Sequence, residues 1–258
     1  MVMRLLRPLH GWRAFFGEIG IVFVGILLAL SAERLVQEYN WRQDARQARV
    51  AIKNELNLQR IDAVERLAVQ RCLKGQINAL YQKLSLHRGG MWIGMPMFVT
   101  QQGNSEAAQR VVVNGYRGPE RRWVDEAWQT ARSDGALDHL PAGEVSKYAQ
   151  AYHRGYRILA LQEQENDAGA RLSVLAIDGP IDASVRANLL GTLAQADRAN
   201  AYMELSAKAL LGFLKPLLAD LPANMVDPGI NERIRNQRAF RGECVQPLKM
   251  KQGSAVPI

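Results

Sequence analysis

The chain has 258 residues, and its 33 lysines and arginines outnumber 25 acidic residues to give a formal charge of +8. With 48% of its residues apolar it can bury a core, which excludes a disordered polymer. Its two cysteines, Cys72 and Cys244, lack the close spacing of a zinc site. No RNA-binding signature interleaves aromatic with basic residues, which argues against nucleic acid as a partner.

Residues 1–14 carry Arg4, Arg7 and Arg13 and read as a short basic tail. Residues 15–32, FFGEIGIVFVGILLALSA, hold a single charge, Glu18. A helix of 18 residues rises about 27 Å, close to the lower limit for a hydrocarbon layer about 30 Å thick. A transmembrane helix is expected. Glu18 falls in its first turn, where the positive end of the helix dipole favours a carboxylate and the headgroup level is within reach. At about 100° per residue Glu18, Gly25, Ala29 and Ala32 also share one narrow sector, and Gly25 with Ala29 would let a second helix approach closely. The stripe is a candidate helix-pairing face.

A cleaved signal peptide competes with the anchor, because a basic stretch, an apolar run and ALSA follow one another in the order such peptides use. Against cleavage, no Gly or Pro interrupts the chain between Leu30 and Lys74, and helix formers continue through SAERLVQEYNWRQDARQ. Arginines do not set the orientation, since Arg34, Arg42 and Arg46 on one side balance Arg4, Arg7 and Arg13 on the other.

Residues 33–86 are expected to form one long helix or two nearly collinear ones, with Gly75 as the weak point. Cys72 lies in it and Cys244 near the other end of the chain. One intramolecular bridge is available to them, which would pin a segment poor in apolar residues to the helical body and imply an oxidising compartment. The alternative is two unrelated thiols, with Cys72 a small buried hydrophobe. Residues 87–105 then break helicity with glycines and a proline, and Trp92, Met95, Met97 and Phe98 are expected to pack over the bundle. RVVVNGYRG offers at most one lone strand, too little for a sheet.

Pro119 is expected to open a helix to residue 133, and Pro141 another to residue 176. Asp178, Gly179 and Pro180 make a turn, and Asp182 is an N-cap for a helix over 182–215 that Pro216 kinks or ends. Helices joined by so short a turn are antiparallel neighbours. A last short helix follows in DPGINERIRNQRAF. Residues 233–258 hold Arg233, Arg235, Arg238, Arg241, Lys249 and Lys251 against Glu243 alone, a basic end that reads as a solvated tail or as a surface for anionic lipid heads.

Within 141–176 one apolar frame, Val145, Ala149, Tyr152, Tyr156 and Leu159, leads to Glu163 and Asn166. The other, Ile158, Leu161, Ala168, Leu172 and Leu175, passes through Glu165. In 182–215 the stripe through Leu193, Met203 and Ala207 includes Asn200. Glu163, Glu165, Asn166 and Asn200 are thus candidates for a polar pocket between two helices, or for buried residues paired with an arginine. Catalytic and metal signatures are missing: no Glu-x-x-His pair, no G-x-S-x-G, no H-E-x-x-H, no C-x-x-C and no phosphate-cradling loop. No catalytic residue, metal or cofactor is assigned.

GEIGIVFVGILLALSAERL, followed by Trp41 and Arg42, resembles the opening of a group of bacterial single-pass inner-membrane proteins to which no activity is assigned. The resemblance covers about 25 residues and implies an inner-membrane anchor with a helical domain, while Cys72, Trp123 and Trp128 match more loosely. The expected architecture is all-α: a cytoplasmic tail over 1–14, a transmembrane helix over 15–32, a periplasmic helical bundle over 33–240 and a basic tail over 241–258. The expected function is a non-catalytic interaction or scaffold module whose partners are the bilayer and itself or another membrane or envelope protein. A ligand-sensing bundle with a pocket between helices 141–176 and 182–215 is the alternative.

Overall fold

The computed structural model describes residues 11–95, 97–99, 112–114, 116–221 and 229–246. Arg4 and Arg7, residues 96 and 100–105 of the 87–105 loop, the side chains of Met97 and Phe98, and Lys249 and Lys251 lie outside them. The protein is all-α. Helix α1 (Gly11–Ala68) is 58 residues long, about 87 Å at 1.5 Å per residue, and no Gly or Pro interrupts it after Gly25. Its first part, as far as Asp44, is exposed wherever its side chains are described. Burial begins at Ala45 and becomes nearly continuous from Glu55 to Val69.

Helix α2 (Gln70–Leu86) follows, so the break lies at Val69 and not at Gly75. Helical hydrogen bonds cross it, from Val69 N–H to Glu65 C=O and from Leu73 N–H to Val69 C=O. The cause of the break is a distant segment. The Ala68 carbonyl accepts the Gln246 N–H at 2.9 Å, which occupies an acceptor that the helix would otherwise use itself.

Helix α3 (Glu126–Ser133) is shorter than the helix expected from Pro119. Backbone groups ahead of it are already engaged by side chains of other elements. Gln162 accepts from Arg121 N–H and donates to Arg121 C=O, Gln59 donates to Val124 C=O, and Trp123 has φ 31°, outside the helical region. Four short strands accompany the helices: β1 (Met91–Trp92) pairs with β4 (Gly179–Pro180), and β2 (Met97–Val99) pairs with β3 (Val112–Asn114), both antiparallel. The second pair corrects the expectation of a lone strand, because the glycine-rich loop supplies its partner.

Helices α4 (Ala142–Arg171) and α5 (Ala183–Leu217) are antiparallel: Arg171 reaches Gln195, while Arg154 stacks over Phe213. Pro141 stands just before α4, and the Asp182 side chain accepts Val185 N–H at 2.8 Å as the N-cap of α5. Pro216 sits in the last turn of α5, where its missing N–H costs one bond and the helix ends. Cross-links fix the third direction. Arg49 pairs with Glu144, Glu55 with Tyr152 and Arg66 with Glu165, so the buried part of α1 runs parallel to α4 and antiparallel to α5.

Two apolar clusters result. One joins Ile52, Leu56 and Val64 of α1 to Tyr148, Tyr152 and Ile158 of α4 and Met203 to Leu214 of α5. The other joins α2 to Leu172, Leu175, Leu189, Leu193, Trp92 and Val245. Helix α6 (Ile230–Arg241) lies across α1, and a single 3-10 turn carries the chain to Cys244.

Candidate functional site

Residues 16–32 form the apolar part of α1, the single described helix long and apolar enough to cross a membrane, and none of that window is buried. Glu18, Gly25, Ala29 and Ala32 lie on one face of it. No atom outside the helix comes within 4 Å of where a Cβ on Gly25 would stand. The Ser31 hydroxyl donates to Leu27 C=O, so the other polar side chain of the segment is satisfied within the helix.

Cys72 and Cys244 are joined by a disulfide across 172 positions, with their Cα atoms 5.1 Å apart. Val245 beside it is fully buried, and Gln246 bonds to Ala68. Residues 241–246 are therefore a clasp on the junction of α1 and α2, which shortens the tail expected over 241–258. Arg233 and Arg238 ahead of the clasp and Arg241 at its start are engaged as well, while Arg235 is exposed. Arg233 pairs with Asp62, Arg241 donates to Arg117 C=O at 2.9 Å, and burial with Arg66 nearby pushes the Arg241 guanidinium down to about 10. Arg233, Arg238 and Arg241 thus bond to the rest of the fold, which corrects the reading of a solvated tail for these residues.

Of the four candidate pocket residues, the structure brings two together. Glu165 is 1% exposed and Asn200 is 2% exposed, and both accept from one Arg66 nitrogen at 2.8 Å. Tyr116 completes the group with a hydroxyl 2.5 Å from Glu165, and burial next to that carboxylate raises its pKa well above the ordinary value. Glu163 and Asn166 face solvent, a correction that follows from the second of the two frames being the buried one. The Arg66 side chain fills the space a pocket would need. Gly118 packs against Glu165 so closely that an added Cβ would stand 2.6 Å from its oxygen. The group is a buried ion pair with two polar neighbours, which fastens α1, α4, α5 and the 116–125 segment together.

Sequence reasoning missed how many such groups α1 carries. Glu55 accepts the Tyr152 hydroxyl at 2.5 Å and the backbone N–H groups of Ala127 and Trp128, capping α3 from another helix. Glu65 accepts from Arg121 and from Gln237, the latter at 2.8 Å. Their signal was present as charged residues inside a helix that has to be buried, but the partners lie far along the chain, in α3, α4, α6 and the 116–125 segment.

A groove of about 510 Å³ does run between α4 and α5, away from Glu165. It is lined by Ser146, Gln150, His153 and Ser206, and its charged side chains are Arg154 and Arg157. Among the described residues no group of three or more His, Cys, Asp or Glu is placed to hold a metal ion. Comparison of the chain with protein-family models, curated proteins and solved structures finds no match.

Proposed function

We propose that the protein is a single-pass, membrane-anchored, non-catalytic interaction module of the bacterial cell envelope, with its bundle outside the cytoplasm. The continuity of α1 carries this reading. One helix leaves an exposed apolar segment, crosses some 12 exposed residues and becomes the central helix of the bundle, so the bundle is held rigidly about 20 Å from the end of the span. A cleaved leader has no use for such a helix. The disulfide supports the compartment, because thiols in the cytoplasm are kept reduced. The polar groups of the interior support a non-catalytic role: Arg66, Glu165, Asn200 and Tyr116 bond to one another and are buried.

The test is a topology assay on the full chain carrying Ser184→Cys, an exposed position in the first turn of α5. Spheroplasts are treated with a membrane-impermeant maleimide of high mass and the shift is read on a gel. Labelling before lysis is the expected result. Labelling only after lysis would overturn the compartment, and loss of residues 1–32 from the mature chain would overturn the anchor.

A second reading, a bundle that binds a small anion, is favoured by the groove between α4 and α5 whose charged lining is arginine. Inorganic phosphate and a short alkyl phosphate are the probes. Titration of either into the full chain, with Arg157→Ala as the comparison, removes this reading if both proteins respond alike.

A further inference from the structure

The buried ion pair of the core has one cation more than it can match. Arg241, at the start of the clasp, stands beside it: burial, Arg66 and Arg117 press its guanidinium down, while Tyr116 and Glu165 act the other way. Arg117 has a carboxylate of its own, Glu120, 4.0 Å away and exposed. Asp62 and Glu65 are matched by Arg121 and Arg233. Among the described residues that leaves Glu165 as the one buried carboxylate for both Arg66 and Arg241. Tyr116 supplies no charge, because burial and the adjacent carboxylate hold its proton well above the ordinary tyrosine value. Nor does Arg241 shed its own proton, since a value of about 10 keeps it charged at neutral pH. One positive charge in the interior is without a counter-charge, an arrangement that folded proteins avoid.

The hydrogen bonds lead to the same place. Arg66 Nη2 donates to Glu165 and to Asn200, each at 2.8 Å, while its Nε and Nη1 are buried and find no partner among the described residues. The whole Arg66 side chain is 4% exposed. Arg241 donates from Nε to Gln237 and from Nη2 to Arg117 C=O, both at 2.9 Å, and its Nη1 is likewise buried without a partner. Three guanidinium nitrogens on the two cations thus hold N–H groups that nothing in the fold accepts, although buried donors are nearly always satisfied. A water molecule would accept them and leave the surplus charge in place. An anion accepts them and cancels it.

We infer that the core binds a halide ion, chloride in ordinary salt, held by the N–H groups that Arg66 and Arg241 have left over. The ligand is monatomic because the surroundings are closed and tightly packed. Tyr116, Glu165 and Asn200 are no more than 2% exposed, and a Cβ on Gly118 would stand 2.6 Å from the Glu165 carboxylate. An oxyanion such as phosphate finds room only in the open groove between α4 and α5, which is a separate place with separate arginines. The ion also has a structural consequence. Arg66 belongs to α1 and Arg241 begins the clasp, so the halide joins the clasp to the central helix at a second point besides the disulfide. That bond strengthens with halide concentration, and it does so on whichever side of a membrane the bundle lies.

The test measures thermal midpoints of the full chain in detergent micelles, with sodium chloride, sodium bromide and sodium gluconate exchanged at constant ionic strength. A ligand that binds only the folded chain raises the midpoint by roughly 3–5 °C for each tenfold rise in its concentration above Kd. That rise is expected with chloride and bromide and not with gluconate. Arg241→Met is expected to abolish it, whereas Arg235→Met, which removes the same charge from an exposed position of the same helix, is expected to keep it. Midpoints that respond alike to all three salts, a chloride response that survives Arg241→Met, or one that both variants lose would overturn the site. Crystals of the parent chain grown in bromide need no variant to fold. An anomalous peak beside Arg66 and Arg241 is expected there, and peaks at other places only, or none, would overturn the inference.

Discussion

The two halves of α1 invert the usual relation between polarity and burial. Residues 16–44 are exposed along their length yet include the most apolar stretch of the chain, whereas residues 52–68 are almost wholly buried and contain Glu55, Asn57, Gln59, Arg60, Asp62, Glu65 and Arg66. A helix exposed on all sides and apolar on all sides suits lipid. A buried helix with this many polar groups needs partners for them, and here they come from Tyr152 and Glu165 of α4, Asn200 of α5, Arg233 and Gln237 of α6, and the 121–128 segment. The same helix therefore leaves uncovered a segment apolar enough to cross a membrane and organises the bundle by what it pairs.

The largest expected effect comes from breaking that pairing in the buried half. Arg66→Ala leaves Glu165 charged, 1% exposed and deprived of its ion-pair partner. Loss of one member of a buried pair costs about 3–5 kcal/mol, enough to remove much of a domain's stability. Glu165→Ala should cost about as much. The double variant Arg66→Met with Glu165→Leu should recover most of the loss, because no charge is then stranded. Thermal unfolding of the full chain in detergent micelles, followed by circular dichroism, reads all three. A single variant with an unchanged midpoint would show that the buried half tolerates a lone charge, and the contrast between the halves would lose its energetic basis.

The next effect tests whether the clasp belongs to the buried half. Cys72→Ser with Cys244→Ser removes a bridge that spans 172 positions and is expected to cost about 2–5 kcal/mol. Buried Val245 and the Gln246 bond to Ala68 hold part of the clasp without the bridge, so the loss should fall at the lower end. In the double variant amide exchange should quicken first at the junction around Val69, while the exposed half of α1 stays unchanged. Exchange that quickens uniformly would mean that the clasp does not act locally.

These elements also show how far the sequence reaches. The apolar segment, its continuation as helix, the antiparallel pair α4 and α5 and the Asp182 cap follow from periodicity, length and capping chemistry, which are local properties. The Cys72 and Cys244 bridge was readable as one option of two, since only one intramolecular pairing exists. The break at Val69 was not readable, because its cause is a hydrogen bond from Gln246, far along the chain. The start of α3 was misplaced for the same reason: Gln59 and Gln162 take backbone groups ahead of it, and Glu55 caps it from α1. Glu165 and Asn200 were identified as polar residues within apolar stripes, but only the fold shows that Arg66 fills the space between them.

The smallest expected effect lies at the boundary of the two halves and separates them by the sign of their pH dependence. Glu144 takes a two-pronged hydrogen bond from Arg49 at the mouth of the bundle, and that bond outweighs burial to hold its carboxyl below the usual 4.5. A group with a lowered folded value adds stability that is present above its ordinary value and lost as pH falls through the lowered one. Asp62, deeper along α1, is the reverse: burial raises its value despite Arg233 and Arg121, so its ionised form is a net cost that acid relieves. Glu144→Gln should therefore flatten the acid loss of stability by about 0.2–1 kcal/mol, the scale of a partly exposed ion pair, and Asp62→Asn should steepen it. Urea midpoints of the full chain in micelles at several pH values between neutrality and the carboxylate range decide the matter. Slopes that change in the same direction in both variants would mean that position 62 is as open to water as position 144, and the buried half of α1 would then begin further along the helix than its side chains indicate.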